Sequence, residues 1–408
     1  MPKSATARIS DAEQRIKNPA SPDEMGRQRV VASRLPRVQQ PEHESAKVTV
    51  DDVGREISTT PLRAISPPRL SSQSAPTVRT LPKIVSLFSG AGGLDRGFKD
   101  AGFQIAVAFD ASKAAIRTHR RNFPRTESTV VDLAEVKPSG VAALVAEKIP
   151  PGERIGVIGG PPCQGFSRAN TTARPDDPRN ELPDIYLKII AELQRIYTVE
   201  FFVFENVLGI GDKKHTPVYQ ALVAGLSALG FVTQEMELCA LDFGVPQNRR
   251  RIVLSGMRGG QGYTEVRPRK RKGKTTVREA IGELQAPVFF QHGLSPLEFP
   301  VHPNHWTMMP KSARFRNPHA SRVDGRSFKR LDWQKASPTI AFGHREIYVH
   351  PSGNRRLSLY EALRLQGFPH DFVLEGNLSE QVEQVSNAVP PPLARSLARA
   401  VKRALFSK

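Results

Sequence analysis

The sequence predicts an α/β protein built on a doubly wound, parallel sheet. From residue 83 to about residue 257, short apolar stretches of strand length alternate with stretches of helix length. This alternation is typical of a parallel sheet with helices on both faces. A glycine-rich turn follows the first predicted strand, and ligands of such sheets bind beyond the carboxyl ends of the strands.

The predicted elements follow one another along the chain without an internal repeat. Apolar runs bounded by turn residues predict the strands, and the spacing of apolar residues predicts the helices. The strands are expected at residues 83–88, 104–109, 128–131, 154–158, 200–204, 232–238 and 251–255. The helices are expected at 94–101, 113–122, 140–148, 183–197 and 217–229, with two more at 357–365 and 391–405.

Composition divides the chain into four parts. Residues 1–80 are rich in Ser, Pro, Arg and Gln, with 13 basic and 9 acidic residues, and predict a disordered arm that serves as a flexible tail or docks a partner. Residues 81–257 carry the α/β pattern. Residues 258–335 hold 16 basic and 6 acidic residues, so we expect 258–340 to be a nucleic-acid-binding domain. Residues 341–408 are expected to return to the α/β domain.

The overall composition points to an intracellular protein with a polyanionic partner. The formal net charge is +19 in 408 residues, which favours nucleic acid. Two cysteines exclude a disulfide framework and suggest a reducing compartment. We find neither an apolar run long enough to cross a bilayer nor a signal-peptide core, so no membrane association is expected.

Cys163 lies in the most informative segment, Gly-Gly-Pro-Pro-Cys-Gln-Gly-Phe-Ser-Arg at 159–168. A rigid turn directly after a predicted strand presents a thiol at a pocket entrance, as a nucleophile requires. The alternative is a buried structural cysteine. The flanking Pro-Pro and Gln-Gly pairs favour the nucleophile.

Glycine and aspartate residues after the first three strands predict a nucleoside site. Residues 87–98 read Leu-Phe-Ser-Gly-Ala-Gly-Gly-Leu-Asp-Arg-Gly-Phe, and this turn lets backbone approach a ligand beside a helix N-terminus. The turn matches neither the phosphate-binding motif G-x-x-x-x-G-K-[ST] nor the dinucleotide-binding motif G-x-G-x-x-G. Asp110 follows the second strand and is placed to accept hydrogen bonds from ribose hydroxyls. Asp132, beside Leu133, is a candidate for an adenine amino group. The alternative role for each aspartate is a helix N-cap.

A carboxylate and an arginine cluster complete the predicted site. Glu205 ends the fifth strand, where a buried carboxylate needs a partner, and it is a candidate to bind the edge of a base. Residues 247–251 read Gln-Asn-Arg-Arg-Arg, and alternation places Arg249 and Arg251 on one face. These two arginines are candidates to bridge a phosphate or to orient Glu205. A surface basic patch is the alternative.

Taken in order, these blocks resemble the DNA (cytosine-5)-methyltransferase family. The cysteine loop, the Gly-rich turn, Glu-Asn-Val at 205–207 and the arginine block are similar to family motifs, as are Arg-Leu-Gln-Gly-Phe-Pro at 364–369 and Asn-Ala-Val-Pro-Pro at 387–391. The resemblance covers residues 83–400. Two positions depart from it, since Ser386 stands where glycine is usual and Asp110 where glutamate is common.

The resemblance implies a Rossmann-like methyltransferase sheet and S-adenosylmethionine as methyl donor, with no metal. It implies that residues 258–340 are the target recognition domain, and that Cys163, Glu205, Arg249 and Arg251 are catalytic. The DNA contacts would be Gln164, Ser167, Arg168, Gln247 and Thr339. The cofactor would be held by Phe88, Ser89, Gly90, Ala91, Gly92, Gly93, Leu94, Asp110, Asp132, Leu133, Pro161, Asn387 and Val389.

The implied reaction methylates C5 of a cytosine flipped out of duplex DNA. Attack of Cys163 on C6 would make C5 nucleophilic, and Glu205 would stabilise that intermediate at N3 and the exocyclic amine. A bacterial restriction–modification enzyme is expected: a cytoplasmic, nucleoid-associated monomer with a cognate endonuclease. An orphan methylase, an RNA cytosine-5 methyltransferase and a non-catalytic DNA-binding homologue are the alternatives. The Gly pattern disfavours an NAD-dependent oxidoreductase.

Overall fold

The computed structural model describes residues 80–162, 178–213, 215–259, 265–291, 293, 295, 299–315, 329–339 and 348–407. These residues belong to one unit, Ala75–Lys408. The predicted N-terminal arm lies outside the described residues except for its last residue, and so do Cys163, Gln164, Ser167 and Arg168. In the described ranges, no helix is long and apolar enough to span a bilayer.

Seven strands form the central sheet. They are β1 (Lys83–Leu87), β2 (Ile105–Asp110), β3 (Glu127–Val130), β4 (Arg154–Gly159), β5 (Thr198–Asn206), β6 (Phe231–Cys239) and, after the two-residue strand β7 (Gln247–Asn248), β8 (Arg250–Arg258). Their spatial order is β3-β2-β1-β4-β5-β8-β6. Each predicted strand is therefore present, with ends shifted by at most three residues.

The sheet departs from the predicted parallel arrangement at one strand. The strands from β3 to β5 pair in parallel, whereas β8 runs antiparallel to both β5 and β6. The physical reason is the short connection between β6 and β8. Residues 240–249 hold only a 3-10 turn and β7, which is too short for the crossover that a parallel pair requires.

Helices cover both faces of the sheet, as a doubly wound fold requires. The first core cluster includes residues of α3 (Pro138–Ala146), α4 (Leu182–Gln194) and α5 (Thr216–Ala228). The second cluster includes residues of α1 (Gly93–Asp100) and the C-terminal helix, which spans Pro391–Phe406. The chain's end thus packs on the α/β sheet, as expected.

A third core cluster joins the C-terminal segment to the basic region. It includes residues of α6 (Val277–Ile281), α7 (Leu359–Leu365) and α8 (Leu378–Asn387), so the helix at Pro391–Phe406 is α9. Phe123, which follows α2 (Lys113–Asn122), belongs to the same cluster. The pattern of apolar residues did not predict α6 or α8. The short strands β9 (Val288–Phe289), β10 (Trp306–Thr307) and β11 (Ser337–Pro338) were not predicted either.

Candidate active site

A cavity of about 290 Å³ opens at the carboxyl ends of β1, β2, β4 and β5. Its position is the one expected for a ligand of a doubly wound sheet. The Gly-rich turn, Asp110, the Pro-Pro segment before Cys163, Glu205 and two arginines contribute to its wall. Most of the predicted site is therefore brought together from positions far apart in the sequence. From the last part of the chain, the lining residues are Glu380, Glu383, Gln384, Ser386, Asn387, Ala388 and Val389.

The Gly-rich turn follows β1 and opens α1. Phe88, Gly90 and Gly92 have positive φ values of 53°, 54° and 91°, which L-residues other than glycine rarely adopt. A Cβ on Gly92 would lie 2.5 Å from the Phe123 ring, and one on Gly93 would lie 2.2 Å from the Val389 carbonyl oxygen. The turn thus needs glycine both for its conformation and for close packing.

Asp110 joins the end of β2 to this turn. Its Oδ2 accepts from the Gly90 N–H at 2.8 Å, and its Oδ1 accepts from the Ser112 N–H at 2.8 Å. Burial raises the pKa of Asp110, although both N–H donors lower it in part. Each carboxylate oxygen retains a second lone pair for a ligand. Asp110 lines the cavity, although its side chain is shorter than the glutamate that is common at this position in the family that the sequence resembles.

Asp132 and Leu133 are not brought to the cavity. Asp132 is exposed and accepts from the Ala134 N–H at 2.9 Å, a local turn that resembles the capping alternative. Leu133 is buried in the first core cluster. Neither residue lines the cavity, so their contact with an adenine group stays a prediction.

Glu205 lies near the end of β5 with only 6% of its surface exposed. The Arg251 Nε atom lies 2.9 Å from Glu205 Oε1, so the two side chains form a buried ion pair. Burial raises the pKa of Glu205, and the charges of Arg251 and Arg249 lower it in part. The result is a carboxyl group that holds its proton more tightly than an exposed glutamate.

Arg249 and Arg251 are buried, whereas Arg250 between them is exposed and pairs with Glu237 at 2.7 Å. The predicted alternation is confirmed, and the surface-patch alternative is wrong for the two buried arginines. Arg249 also connects the C-terminal segment to the site, because its guanidinium donates to the Ser386 carbonyl oxygen at 2.8 Å. Both arginines line the cavity with Glu205.

The backbone before Cys163 passes directly over Glu205. A Cβ on Gly160 would lie 3.0 Å from Glu205 Oε2, so a side chain here would crowd the carboxyl group. The Asn206 side-chain amide donates to the Pro161 carbonyl oxygen at 3.2 Å and fixes this segment. Cys163 follows one residue after Pro162, which lines the cavity.

Two predicted DNA contacts lie at the arginine block. β11 pairs with β7, and the Thr339 hydroxyl donates to the Asn248 carbonyl oxygen at 2.8 Å. The Gln247 side chain is fully buried at the pairing of β7 with Ser337. Its contact with DNA therefore stays a prediction that would require this pairing to open.

Ser386 fits where glycine is usual in the resembling family. It lies within α8, and it is not among the residues with positive φ in the described part of the chain. The departure therefore causes no backbone strain. Its neighbours Asn387 and Val389 line the cavity as predicted.

The motifs missed one contribution to the site, the acidic side of α8. Glu380 and Glu383 line the cavity, and Glu383 raises the pKa of Asp110. A signal was present, because Asn377 and Glu380 form a capping box, which marks the start of a helix in a sequence.

The lining is compatible with a nucleoside-bearing methyl donor. Asp110 has free lone pairs, and an added Cβ on Gly90 would meet no atom within 4 Å, so ligand atoms can approach the backbone. The buried Ser89 hydroxyl has no hydrogen-bond partner among the described residues. Those residues contain no group of three or more potential metal-binding side chains.

Comparisons with known proteins agree on one family. A family model described as C-5 cytosine-specific DNA methylase matches residues 82–403. Type II methyltransferase M.MthTI of Methanothermobacter thermautotrophicus is 34% identical over 344 residues, covering 79% of this chain and 97% of the relative. Type II methyltransferase M.NgoPII of Neisseria gonorrhoeae is 30% identical over 360 residues, covering 81% and 98%.

Solved structures share the fold. A prophage-encoded DNA modification methyltransferase of E. coli aligns with a TM-score of 0.65 and 25% identity over 80% of this chain and 99% of that one. The methyltransferase EhMeth of Entamoeba histolytica, at 16% identity, shows likeness of fold alone, with a TM-score of 0.58 over 81% and 100% of the two chains. From the family model and the relatives together, we conclude that the chain belongs to the C-5 cytosine-specific DNA methylases.

Proposed function

We propose that the cavity holds both the methyl donor and the target cytosine, and that Cys163, Glu205, Arg249 and Arg251 carry the catalysis. As a family member, the protein is a DNA (cytosine-5)-methyltransferase, and the family implies S-adenosylmethionine as methyl donor and DNA as substrate. The observation that carries this proposal is the position of Glu205. It is a buried carboxyl group between two arginines and the segment that leads to Cys163.

The donor would lie against the Gly-rich turn, with Asp110 accepting hydrogen bonds from its ribose hydroxyls. Phe88, Pro161, Asn387 and Val389 would surround the rest of the molecule. When bound, S-adenosylmethionine supplies an electrophilic methyl group. Asp132 and Leu133 remain proposed contacts that require the loop after β3 to approach the ligand.

The Cys163 thiolate would add to C6 of a flipped-out cytosine, forming an S–C6 bond and moving the C5=C6 electron pair towards C5. Glu205, in its protonated form, would donate its proton to N3 and accept a hydrogen bond from the exocyclic amine. Arg251 would hold the carboxyl group in place. After C5 is methylated, loss of the C5 proton to water or hydroxide would expel the Cys163 thiolate and restore the aromatic ring, while the N3 proton returns to Glu205.

Replacing Cys163 with serine tests this chemistry. We expect Cys163→Ser to abolish methyl transfer, because a serine hydroxyl is rarely ionised and attacks C6 poorly, while affinity for duplex DNA is retained. Bisulfite sequencing of DNA from cells that express each form reads activity and target sequence together. Wild-type-like methylation by the serine variant would overturn the mechanism.

The biological setting of this activity is a further part of the proposal. The type II methyltransferases among the relatives support a role in restriction–modification, with a cognate endonuclease, in the cytoplasm near the nucleoid. Thr339, Gln164, Ser167 and Arg168 would contact DNA, and the enzyme would act as a monomer. Methyl incorporation into tRNA that equals incorporation into duplex DNA would favour the RNA alternative.

A further inference from the structure

A strongly basic surface lies on the outer side of the catalytic unit, where residues 265–275 run along α9. Most of its cationic side chains are exposed, and Lys402 is half-buried. None of them lines the cavity. We name this surface the basic face. Its residues are Arg267, Arg269, Lys270, Arg271, Lys272 and Lys274 of the segment, with Arg395, Arg399, Lys402 and Arg403 of α9.

Hydrogen bonds hold the segment against the helix. The Ser396 hydroxyl donates to the Arg269 carbonyl oxygen at 2.9 Å, and the Arg403 guanidinium donates to the Arg267 carbonyl oxygen at 2.8 Å. The basic residues of the segment therefore have fixed positions beside those of α9. This order distinguishes the basic face from an ordinary solvated run of charge.

The far end of the segment is fixed at the turn that leads to the arginine block. The Arg271 N–H donates to the Asp242 carbonyl oxygen at 2.7 Å, and the Thr275 hydroxyl donates to the Gly244 carbonyl oxygen at 3.3 Å. Both acceptors follow β6 at the edge of the sheet where the cavity opens. The basic face thus extends from the active-site edge along the outside of the protein.

Most of this charge has no acidic partner within the described ranges. Arg267 pairs with Glu265 and Lys270 with Asp242 at 2.9 Å, whereas no ion pair involves the other eight residues. The pKa of Arg403 is lowered by burial and by the positive charges of Arg269 and Arg399. Like charges held together in this way repel each other unless a partner supplies negative charge.

The spacing on α9 fits a nucleic-acid backbone. Arg395, Arg399 and Arg403 recur every four residues, which places them about 6 Å apart along the helix axis. Phosphates of one DNA strand rise about 3.4 Å each along the duplex axis, so the interval between the arginines corresponds to about two phosphate steps along that axis. A row of arginines at this interval can neutralise a row of phosphates.

We infer that the basic face binds the phosphate backbone of duplex DNA outside the base pairs engaged at the active site. It forms a second, sequence-independent contact that lengthens the footprint on DNA. This role is separate from the chemistry proposed for Cys163 and Glu205, because none of its residues lines the cavity. Each phosphate contact releases counterions and makes binding sensitive to salt.

The test uses the full-length protein with Lys272, Lys274, Arg395 and Arg399 changed to glutamine. The described structure assigns none of these side chains a hydrogen bond or an ion pair, so folding should be retained. Affinity is measured across a salt series for a short duplex that just spans the methylated site and for one several times longer. We expect the variant to lose at least about tenfold in affinity for the long duplex, with a salt slope lower by about 2 to 4.

The control removes the same number of charges away from the basic face, at the exposed residues Arg125, Lys137, Lys148 and Arg195. It should leave both the long-duplex affinity and the salt slope unchanged. Single-turnover methylation of the short duplex should match wild type in both variants, which separates this inference from the catalytic proposal. An unchanged slope in the basic-face variant, an equal loss in the control, or a loss confined to structured RNA would overturn the inference.

Discussion

Glu205 combines two properties that oppose each other at neutral pH. Its carboxyl group is buried, which favours the protonated form, and it lies beside Arg251 and Arg249, which favour the ionised form. Burial is the larger effect and raises the pKa of Glu205. A protonated carboxyl group is the form that can donate to N3 of cytosine, so in the proposed mechanism burial favours this form while the arginines position the group.

The pH dependence of methyl transfer tests this balance. Since the pKa of Glu205 is raised, the protonated form persists to higher pH than for an exposed glutamate, and the rate should fall as pH rises through that pKa. Glu205→Gln should lower the single-turnover rate about 10²- to 10³-fold and should abolish this alkaline limb. Donor binding, measured by calorimetry, should be unchanged. A variant with the same alkaline limb as wild type would rule out Glu205 as the proton donor.

The sequence predicted these residues better than it predicted their geometry. Alternation around Arg249 and Arg251 identified two arginines on one face, because period-two alternation follows from local backbone geometry. The burial of Gln247 was not visible, because it depends on pairing with Ser337, ninety positions away in the chain. Asp132 shows the same limit, since its direction is set by the turn at Ala134.

At the scale of elements, α8 links the end of the chain to the active site. Its side chains line the cavity, and the Thr118 hydroxyl of α2 donates to Gln384 at 2.6 Å. The sequence gives this helix a weak apolar pattern but a clear capping box at Asn377 and Glu380. The capping box therefore indicates α8 where the apolar pattern alone does not.

Two matched capping variants test the role of α8. Asn377→Ala and Thr276→Ala each remove the side chain of a capping box, so each should lower the free energy of unfolding by about 1 kcal/mol. Only Asn377→Ala should raise the KM for S-adenosylmethionine, because α8 lines the cavity and α6 does not. Urea unfolding and steady-state kinetics give both quantities. An equal rise in KM for both variants would show that general destabilisation, not α8, sets donor affinity.

At the scale of the whole molecule, the local pattern of apolar residues predicts the strands of the sheet, whereas the packing of the basic region depends on contacts between segments distant in the sequence. The alternation of apolar runs predicted seven strands and their helices, since each element is a local response to burial on one or two faces. β8 runs antiparallel because the connection between β6 and β8 is short, and this length can be read from the sequence once the two strands are located. The charge of the sequence predicts residues 258–340 as one nucleic-acid-binding domain. In the structure, residues 265–271 contact α9 and the turn after β6, while α6 packs with α7 and α8.

Buried histidines make the stability of this assembly dependent on pH. His302 stacks on Tyr360 with ring centroids 4.1 Å apart, and burial lowers the pKa of His302 to about 4. His350 packs against Trp333, and burial lowers the pKa of His350 to about 4 as well. In the unfolded chain both imidazoles have a pKa of about 6.5. The unfolded state therefore takes up protons first as pH falls, and stability is lost from about pH 6.5 downwards.

The expected loss between neutral pH and about pH 5 is at most about 2 kcal/mol for each histidine, once partial solvent access is allowed for. Asp110 and Glu205, whose pKa values are raised, act in the opposite direction, so the test compares variants with wild type. Urea unfolding across this range should give a shallower pH dependence for His302→Gln and for His350→Gln, and the double variant should be shallower still. A pH dependence equal to wild type in the double variant would show that other groups control acid unfolding.

The contacts of these histidines join the loop after β9 to α7 and the segment before α7 to Trp333, so protonation should loosen the basic region before the sheet. Hydrogen exchange at mildly acidic pH should therefore increase first around α7 and last in β1, β4 and β5.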